Sequence, residues 1–432
     1  MVEIKISEID RVFGHVKVDI NLAMENIDVK LKITQVNRFI ESIVVGKHYV
    51  EVPYIVARIC GACSISHLLA SIHAIEDALK ITPPSDVKVM RRILHELQVI
   101  QNNALFLYLL ALPDYLECKN IYELAKKHVK ILKDALKLNS LCLKIIEEIA
   151  GRIVHPSRCT IGGFTKDIPI GKIRKFIALV KEMKKIALES IHLFTNLELP
   201  KFEETAKEYA ALNTDEPYTF LEGKIKTSTG LEIEPKQYHT IIKEFSIPYS
   251  TSKICLLQGR PFYVGPRARL NTNWHKIPQE YKNLLNNVNI PIRNPFANIT
   301  VKALEILYCI DDILNKLYEL ESKPHLKLRT SMMIEKREGE GIGVIEAPRG
   351  LLIHHYKFSK SGTIKYANII TPTCINSKHM EISTIDLVKK IIDVEGINTD
   401  IIEREVPKLI RSYDPCLPCA THAIKINVRI HR

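Results

Sequence analysis

RICGACSISHLLASIHAIEDAL, from Arg58 to Leu79, sets two cysteines, Cys60 and Cys63, at the mouth of a helix. Beyond Cys63 the apolar residues Leu68, Leu69, Ile72, Ile75 and Leu79 recur at the spacing of one helix face, and the pattern stops before Pro83-Pro84. Near the other end of the chain, DPCLPCATH (Asp414 to His422) repeats the arrangement with Cys416 and Cys419, and a helix expected over Thr399 to Arg411 delivers the chain to it. Each pair has a histidine close by, His67 and His422. Thiolates with adjacent imidazoles select soft or borderline ions such as nickel, copper, zinc or iron over magnesium and calcium. Such a site requires the two ends of the chain to meet.

A structural zinc ribbon is the competing reading, but ribbons space their pairs roughly 15 to 20 residues apart, whereas most of this chain separates Cys63 from Cys416. Closing that long a loop costs roughly 5 kcal/mol, against roughly 10 to 16 kcal/mol contributed by a structural thiolate site. Magnitude alone therefore permits either metal, and the surrounding residues must decide.

Outward from the first pair, Val16 to Ile33 alternates apolar and polar residues on both sides of a polar break at Glu25 and Asn26, the pattern of a hairpin. Helices are expected over Asp86 to Leu112, Ile121 to Ile149, Ile173 to Phe194 and Thr300 to Leu320, and strands joined by turns over Gly341 to Ile370. Gly, Pro, Ser and Asn gather in turns at Pro156 to Gly163, Gly259 to Pro266 and Asn289 to Asn298. The expected fold class is α+β and predominantly helical: a large helix-rich body with small β-sheets and the metal site buried between the N- and C-terminal motifs. Neither a repeat nor a flexible linker divides the chain.

Composition narrows the classes further. The 432 residues, 46% of them apolar, suffice for a sizeable core. The longest apolar run, Ala104 to Pro113, is far short of the roughly 18 to 20 residues of a membrane span. No secretory signal is visible in MVEIKISEID, so a cytoplasmic location is expected. The net charge of +12 is spread along the chain without interleaved aromatics, which argues against a nucleic-acid partner. Of ten cysteines, six stand alone in sequence (Cys118, Cys142, Cys159, Cys255, Cys309 and Cys374) and read as small buried hydrophobes.

The two cysteine motifs resemble those of the large, catalytic subunit of nickel-iron hydrogenases, most like its soluble cytoplasmic group. Supporting segments are RVFGH (Arg11 to His15), GRIVHPSRCTIGG (Gly151 to Gly163), YVGPRARLN (Tyr263 to Asn271), EAPRG (Glu346 to Gly350) and PTCIN (Pro372 to Asn376). The resemblance implies one domain over residues 1–422. Nickel would be held by all four thiolates, with Cys63 and Cys419 shared with an iron that carries carbonyl and cyanide, and with Cys60 and Cys416 terminal. It also implies heterolytic cleavage or formation of dihydrogen, with Cys416 as proton acceptor. Arg349 would lie over the metals, held by Asp414, and His67 would donate to a bridging sulfur. A third position, for magnesium or iron, would draw on Glu41, His422 and a main-chain carbonyl near Ser377. A maturation peptidase would remove residues 423–432.

Partners follow from the same resemblance. An iron-sulfur small subunit would take the electrons, because no lone cysteine has cluster spacing, and pass them to an acceptor subunit or soluble carrier. Two departures stand out. Phe13 replaces the glutamate that follows the terminal cysteine as proton acceptor, leaving Glu8, Asp10, His15 or a water chain as detours. Asn102, Asn103 and Phe106 replace a Ser-His pair and a further histidine. These losses motivate an alternative, a metal-binding but catalytically impaired scaffold or sensor subunit.

Overall fold

The computed structural model describes residues 2–23, 26–286, 293–330 and 337–422. The expected hairpin forms from β2 (Val16–Ala23) and β3 (Asn26–Ile33), with β1 (Val2–Ile6) antiparallel on the other side of β2. Alternate residues Val16, Val18, Ile20 and Leu22 turn inward, which is what the two-residue period dictates. Short helices α1 (Ile40–Val44) and α2 (Val52–Val56) lead to α3 (Ser64–Leu79), the helix that follows the first cysteine pair. It is buried on nearly every side, and its Ala and Ser residues let neighbours approach closely.

The helical body continues with α4 (Ser85–Leu105), α5 (Ile121–Lys127), α6 (Val129–Ala150) and α7 (Ile170–Thr195). Two expected helices are shorter than the periodicity predicts. Instead of running to Leu112, α4 ends at Leu105 and passes into a π-helical turn over Phe106–Ala111, whose wider winding aims the side chains that follow differently. The Ile121 to Ile149 helix is broken at His128, where the backbone leaves helical values (φ −131°, ψ 53°).

Small antiparallel sheets cover this body: β4 (Cys159–Thr160) with β5 (Gly163–Phe164), β6 (Ala210–Asn213) with β7 (Lys224–Thr227) and β8 (Glu232–Ile233), and β9 (Ile242–Ser246) with β10 (Lys253–Leu257). After α8 (Tyr238–Ile241), α9 (Pro266–Asn273) and α10 (Gln279–Asn286), the long α11 (Asn298–Glu321) crosses the centre of the molecule. The sheet that matters most is β11 (Gly339–Ala347), β12 (Gly350–Phe358) and β13 (Ile364–Ile370), as the strand expectation over Gly341 to Ile370 required. It is followed by α12 (Pro372–Glu395), which the periodicity did not predict, then α13 (Thr399–Ser412) and a single turn, α14 (Leu417–Ala420). The resulting helix-rich α+β architecture agrees with the expected class.

β11 lies directly against α3, and the contact is made by glycine. A Cβ on Gly341 would sit 2.0 Å from the Ala74 carbonyl oxygen, and one on Gly343 would sit 2.1 Å from that of Ala70. No other residue permits this approach. It brings the helix that begins at Cys63 onto the strand that leads to Arg349.

Candidate metal centre

Cys60 lies in the loop before α3, and Cys63 is the residue at which that helix begins. Asn102 on α4 steadies the loop by donating from Nδ2 to the Ala62 carbonyl at 3.0 Å. The second pair is set by the end of α13. There Asp414 takes a left-handed backbone (φ 51°), a conformation Asp tolerates better than most residues, and turns the chain inward at Pro415. The Cys416 amide then donates to Thr373 Oγ1 (2.9 Å), and the Leu417 amide to the Phe13 carbonyl (2.9 Å).

These anchors bring Cys60, Cys63, Cys416 and Cys419 together, all buried, with every sulfur within 4.8 Å of the others. Cys60 and Cys416 sulfurs are 3.4 Å apart, and Cys416 and Cys419 sulfurs 2.9 Å. The residues joined at the first of these contacts are 356 positions apart in sequence. Hydrogen bonds from Cys416, Cys419 and Cys63 hold the Cys60 thiol well below its ordinary value. Cys419 is pushed up by its bonds with Cys416, Cys60 and Cys63 and by burial. For Cys416, bonding to Cys419 pulls the value down, but the bonds to Cys60 and Cys63 and burial outweigh it. Four sulfurs this close cannot all carry charge in a buried site without a cation among them, which is the condition a thiolate-bound metal satisfies.

Arg349 supplies the protein's own positive charge. It is buried at the β11–β12 turn, where Nη1 donates to Cys63 Sγ at 3.1 Å, Nη2 to Asp414 Oδ1 at 2.9 Å, and Nε to the Asp414 carbonyl. Burial opposes its charge, but Asp414 and the cysteines more than restore it. The guanidinium also lies 4.9 Å from the centroid of the Phe13 ring, in cation-π contact. The Glu346 to Arg349 loop is held by Arg269, fully buried, which donates to Glu346, Ala347 O and Pro348 O and, on its other side, to Glu305.

His67 is brought to the centre but bonds elsewhere than expected. Its Nδ1 is 3.1 Å from His354 Nε2, and among the described residues it makes no hydrogen bond to a sulfur. Burial, against the opposing charge of Cys60, pushes its value down to about 3, so the ring is neutral at pH 7.

Glu41 and His422 also come together, with Glu41 Oε1 3.9 Å from His422 Nε2. His422 Nδ1 is 2.7 Å from the Ala420 carbonyl, and its Nε2 faces the third position. The carbonyl beside Nε2 is that of Ile369, at 3.1 Å, and not one near Ser377 as expected. Ser377 instead lies within α12, its hydroxyl donating to Thr373 O at 2.7 Å. Carboxylate, imidazole and carbonyl are a donor set for a hard cation. The Arg38 guanidinium provides positive charge here, 2.8 Å from Glu41 and 3.2 Å from His422 Nε2.

Sequence reasoning missed Ile369, Arg38, His354 and, at the heart of the site, Lys302. Lys302 Nζ donates to Asp414 Oδ2 and to Asn103 Oδ1, both at 2.9 Å. Its signal was available: Lys302 and Glu305 are the charged residues in the otherwise uncharged and mostly apolar stretch Ile299 to Ile310 of α11. Glu8 and His15, candidates for a proton detour, pair with each other at 2.7 Å on the exposed surface. Two of the lone cysteines prove to be neighbours, with Cys255 and Cys374 sulfurs 3.5 Å apart. No helix among the described residues is long and apolar enough to cross a membrane. The proposed cleavable tail, 423–432, lies outside the described residues.

Likeness to known proteins spans the molecule. Sulfhydrogenase 1 subunit alpha of Pyrococcus furiosus is 32% identical over 98% of this chain and 98% of its own. The NAD-reducing hydrogenase HoxS subunit beta of Cupriavidus necator is 25% identical, covering 97% of this chain and 94% of its own. The crystal structure of an NAD+-reducing [NiFe]-hydrogenase in the H2-reduced state superposes with a TM-score of 0.86 at 25% identity, covering 98% of this chain and 100% of that one. Residues 38–140 and 222–422, which hold all four clustered cysteines, match the nickel-dependent hydrogenase family, and to that family this chain belongs.

Proposed function

We propose that this chain is the large subunit of a nickel-iron hydrogenase that cleaves or forms dihydrogen heterolytically and passes electrons to an iron-sulfur partner subunit. One observation carries the reading: four buried sulfurs converge on one point, and a buried arginine already donates to one of them, Arg349 Nη1 to Cys63 Sγ at 3.1 Å. The donor set fits the group, since thiolates suit nickel and iron. Cys60, Cys63, Cys416 and Cys419 would hold nickel, with Cys63 and Cys419 shared with an iron completed by carbonyl and cyanide. When bound, the pair supplies the redox chemistry that polarises dihydrogen.

The chain's own residues do the rest. Cys416 Sγ receives the proton; Arg349, fixed by Asp414, keeps a positive charge over the sulfurs; and the apolar walls exclude water, which strengthens every charge inside. Glu41, His422 and the Ile369 carbonyl would hold magnesium or iron as a structural ion. Residues 423–432 would be removed by a maturation peptidase once the centre is loaded.

An iron-sulfur cluster generally takes four cysteine ligands, and the Cys255 and Cys374 pair supplies two. The cluster is therefore the partner's. Its docking face would be the exposed apolar surface of Phe39, Ile43, Ile153 and Val154, where Val154 lies against Gly61, between the first two cysteines. The complex is proposed to be cytoplasmic and to hand its electrons to an acceptor subunit or soluble carrier.

Nickel and iron content of the purified complex, with infrared detection of iron-bound carbonyl and cyanide, tests the assignment. Zinc near one per chain without nickel would refute it. Phe13, bridged to Cys416 through the backbone and without a group that can carry a proton, favours one second reading, an impaired scaffold or sensor subunit. Hydrogen-deuterium exchange by the loaded complex supports the enzyme, and its absence at full nickel supports the scaffold.

A further inference from the structure

Three positions at which this chain departs from the hydrogenase pattern, Phe13, Asn103 and Phe106, lie far apart in sequence, yet each touches one of two buried cations. Phe13 lies under Arg349. Asn103 accepts from Lys302 Nζ at 2.9 Å, and the Phe106 ring centroid is 4.8 Å from the same nitrogen. The two cations share one counterion: Asp414 takes Arg349 on Oδ1 and Lys302 on Oδ2, both at 2.9 Å.

The arrangement closes on itself. From Arg349 it runs through Asp414, Lys302 and Asn103 to Glu305 (Asn103 Nδ2 to Glu305 Oε2, 3.2 Å), then through Arg269 to Glu346, three residues from Arg349. Its charges alternate in sign and cancel: Arg349, Lys302 and Arg269 against Asp414, Glu305 and Glu346. All six side chains are buried. Buried charges persist only when paired and hydrogen-bonded, so deleting one leaves its neighbour seeking another partner.

We propose that Lys302 is a positioning residue for the hydrogenase centre: its ammonium pins the second oxygen of Asp414, which fixes the Arg349 guanidinium over the cysteines. Asn103 and Phe106 are then the cradle for that ammonium, and their departure from the family pattern is an adaptation to it. The assignment of a role in turnover rests on the hydrogenase reading; the geometric claim does not.

Two measurements separate them. Crystal structures of the metal-free chain, parent and Lys302→Met, test the geometry without any activity. The expected result is a rotated Asp414 carboxylate and Arg349 Nη1 withdrawn from Cys63 Sγ, whose parent distance is 3.1 Å. An unmoved Arg349 overturns the proposal, whatever the parent complex catalyses. In the loaded complex, Lys302→Met should lower kcat for dihydrogen oxidation by about a hundredfold, the scale of an ångström of misplacement, with nickel content and KM held. Lys302→Arg should restore most of that loss, and Ile306→Ala, a core lesion on the same helix, should lower stability without the kcat loss. Should Lys302→Met not fold, Asn103→Ala removes the amide that joins Lys302 to Glu305 and keeps the ammonium, and a kcat equal to the parent's there overturns the proposal.

Discussion

Gly343→Ala tests how the site is assembled. The new methyl would lie 2.1 Å from the Ala70 carbonyl oxygen, 2.7 Å from the Ala74 amide and 3.1 Å from His73 Cβ, and the first two are backbone atoms of α3 that cannot swing aside. Ordinary contact begins near 3.4 Å, so α3 and β11 must part by about 1.3 Å. Overpacking of this kind costs about 1–3 kcal/mol, and rigid backbone on both sides sets the expectation at the upper end, about 3 kcal/mol. The same displacement moves Cys63, at the start of α3, relative to Arg349, at the end of β11. Urea unfolding of the metal-free chain measures the first effect, and nickel retained per chain after dialysis the second. Gly171→Ala is the control: nothing lies within 4 Å of its Cβ, and it occupies the first turn of α7, so it should stabilise slightly, by up to about 1 kcal/mol. If Gly343→Ala and Gly171→Ala unfold alike and retain equal nickel, the glycine contact does not position the site.

Asp414→Asn should cost about 3–5 kcal/mol, because it leaves Arg349 and Lys302 buried with one counterion fewer, and should abolish turnover in the loaded complex. Phe13→Leu should remove about 1–2 kcal/mol of cation-π attraction on Arg349 and weaken nickel retention, as read by metal analysis. His95 is buried, and burial pushes its value down from 6.5 to about 3. Its unfolded form therefore binds a proton that the folded form refuses; the stabilisation is complete above about pH 6.5 and is lost as pH falls toward 3, at about 1.4 kcal/mol per unit. His95→Gln should flatten the pH dependence of urea unfolding between those limits, and an unchanged slope would contradict the assignment.

Elements whose apolar residues kept a clean period were legible in the sequence: the β2–β3 hairpin, α3 and the strands after Gly341. α12 was not, because Asn376, Ser377, His379, Ser383 and Thr384 interrupt its buried side: the first, third and fourth are satisfied by partners distant in sequence and the other two by carbonyls one turn back, so the apolar residues Met380, Leu387, Val388 and Ile391 form only a broken stripe. The π turn after Leu105 and the break at His128 alter the backbone without altering the apolar spacing, so periodicity passes over both. Within the site, the four cysteines, Arg349 and Asp414 could be named because side-chain chemistry is written in residue identity. The Ile369 carbonyl could not, since every residue has one. Asn103 and Phe106 read as losses while Lys302 went unnoticed; only the fold shows that the three belong together.

The centre also has a history within each molecule. Cys60 emerges from the ribosome 356 residues before Cys416, an interval of about 20 to 70 s at about 5–20 residues per second. Throughout it the nascent chain offers half a ligand set, two thiols open to any thiophilic ion. Correct loading thus belongs after translation, and a chain stalled short of Asp414 holds only that incomplete claw.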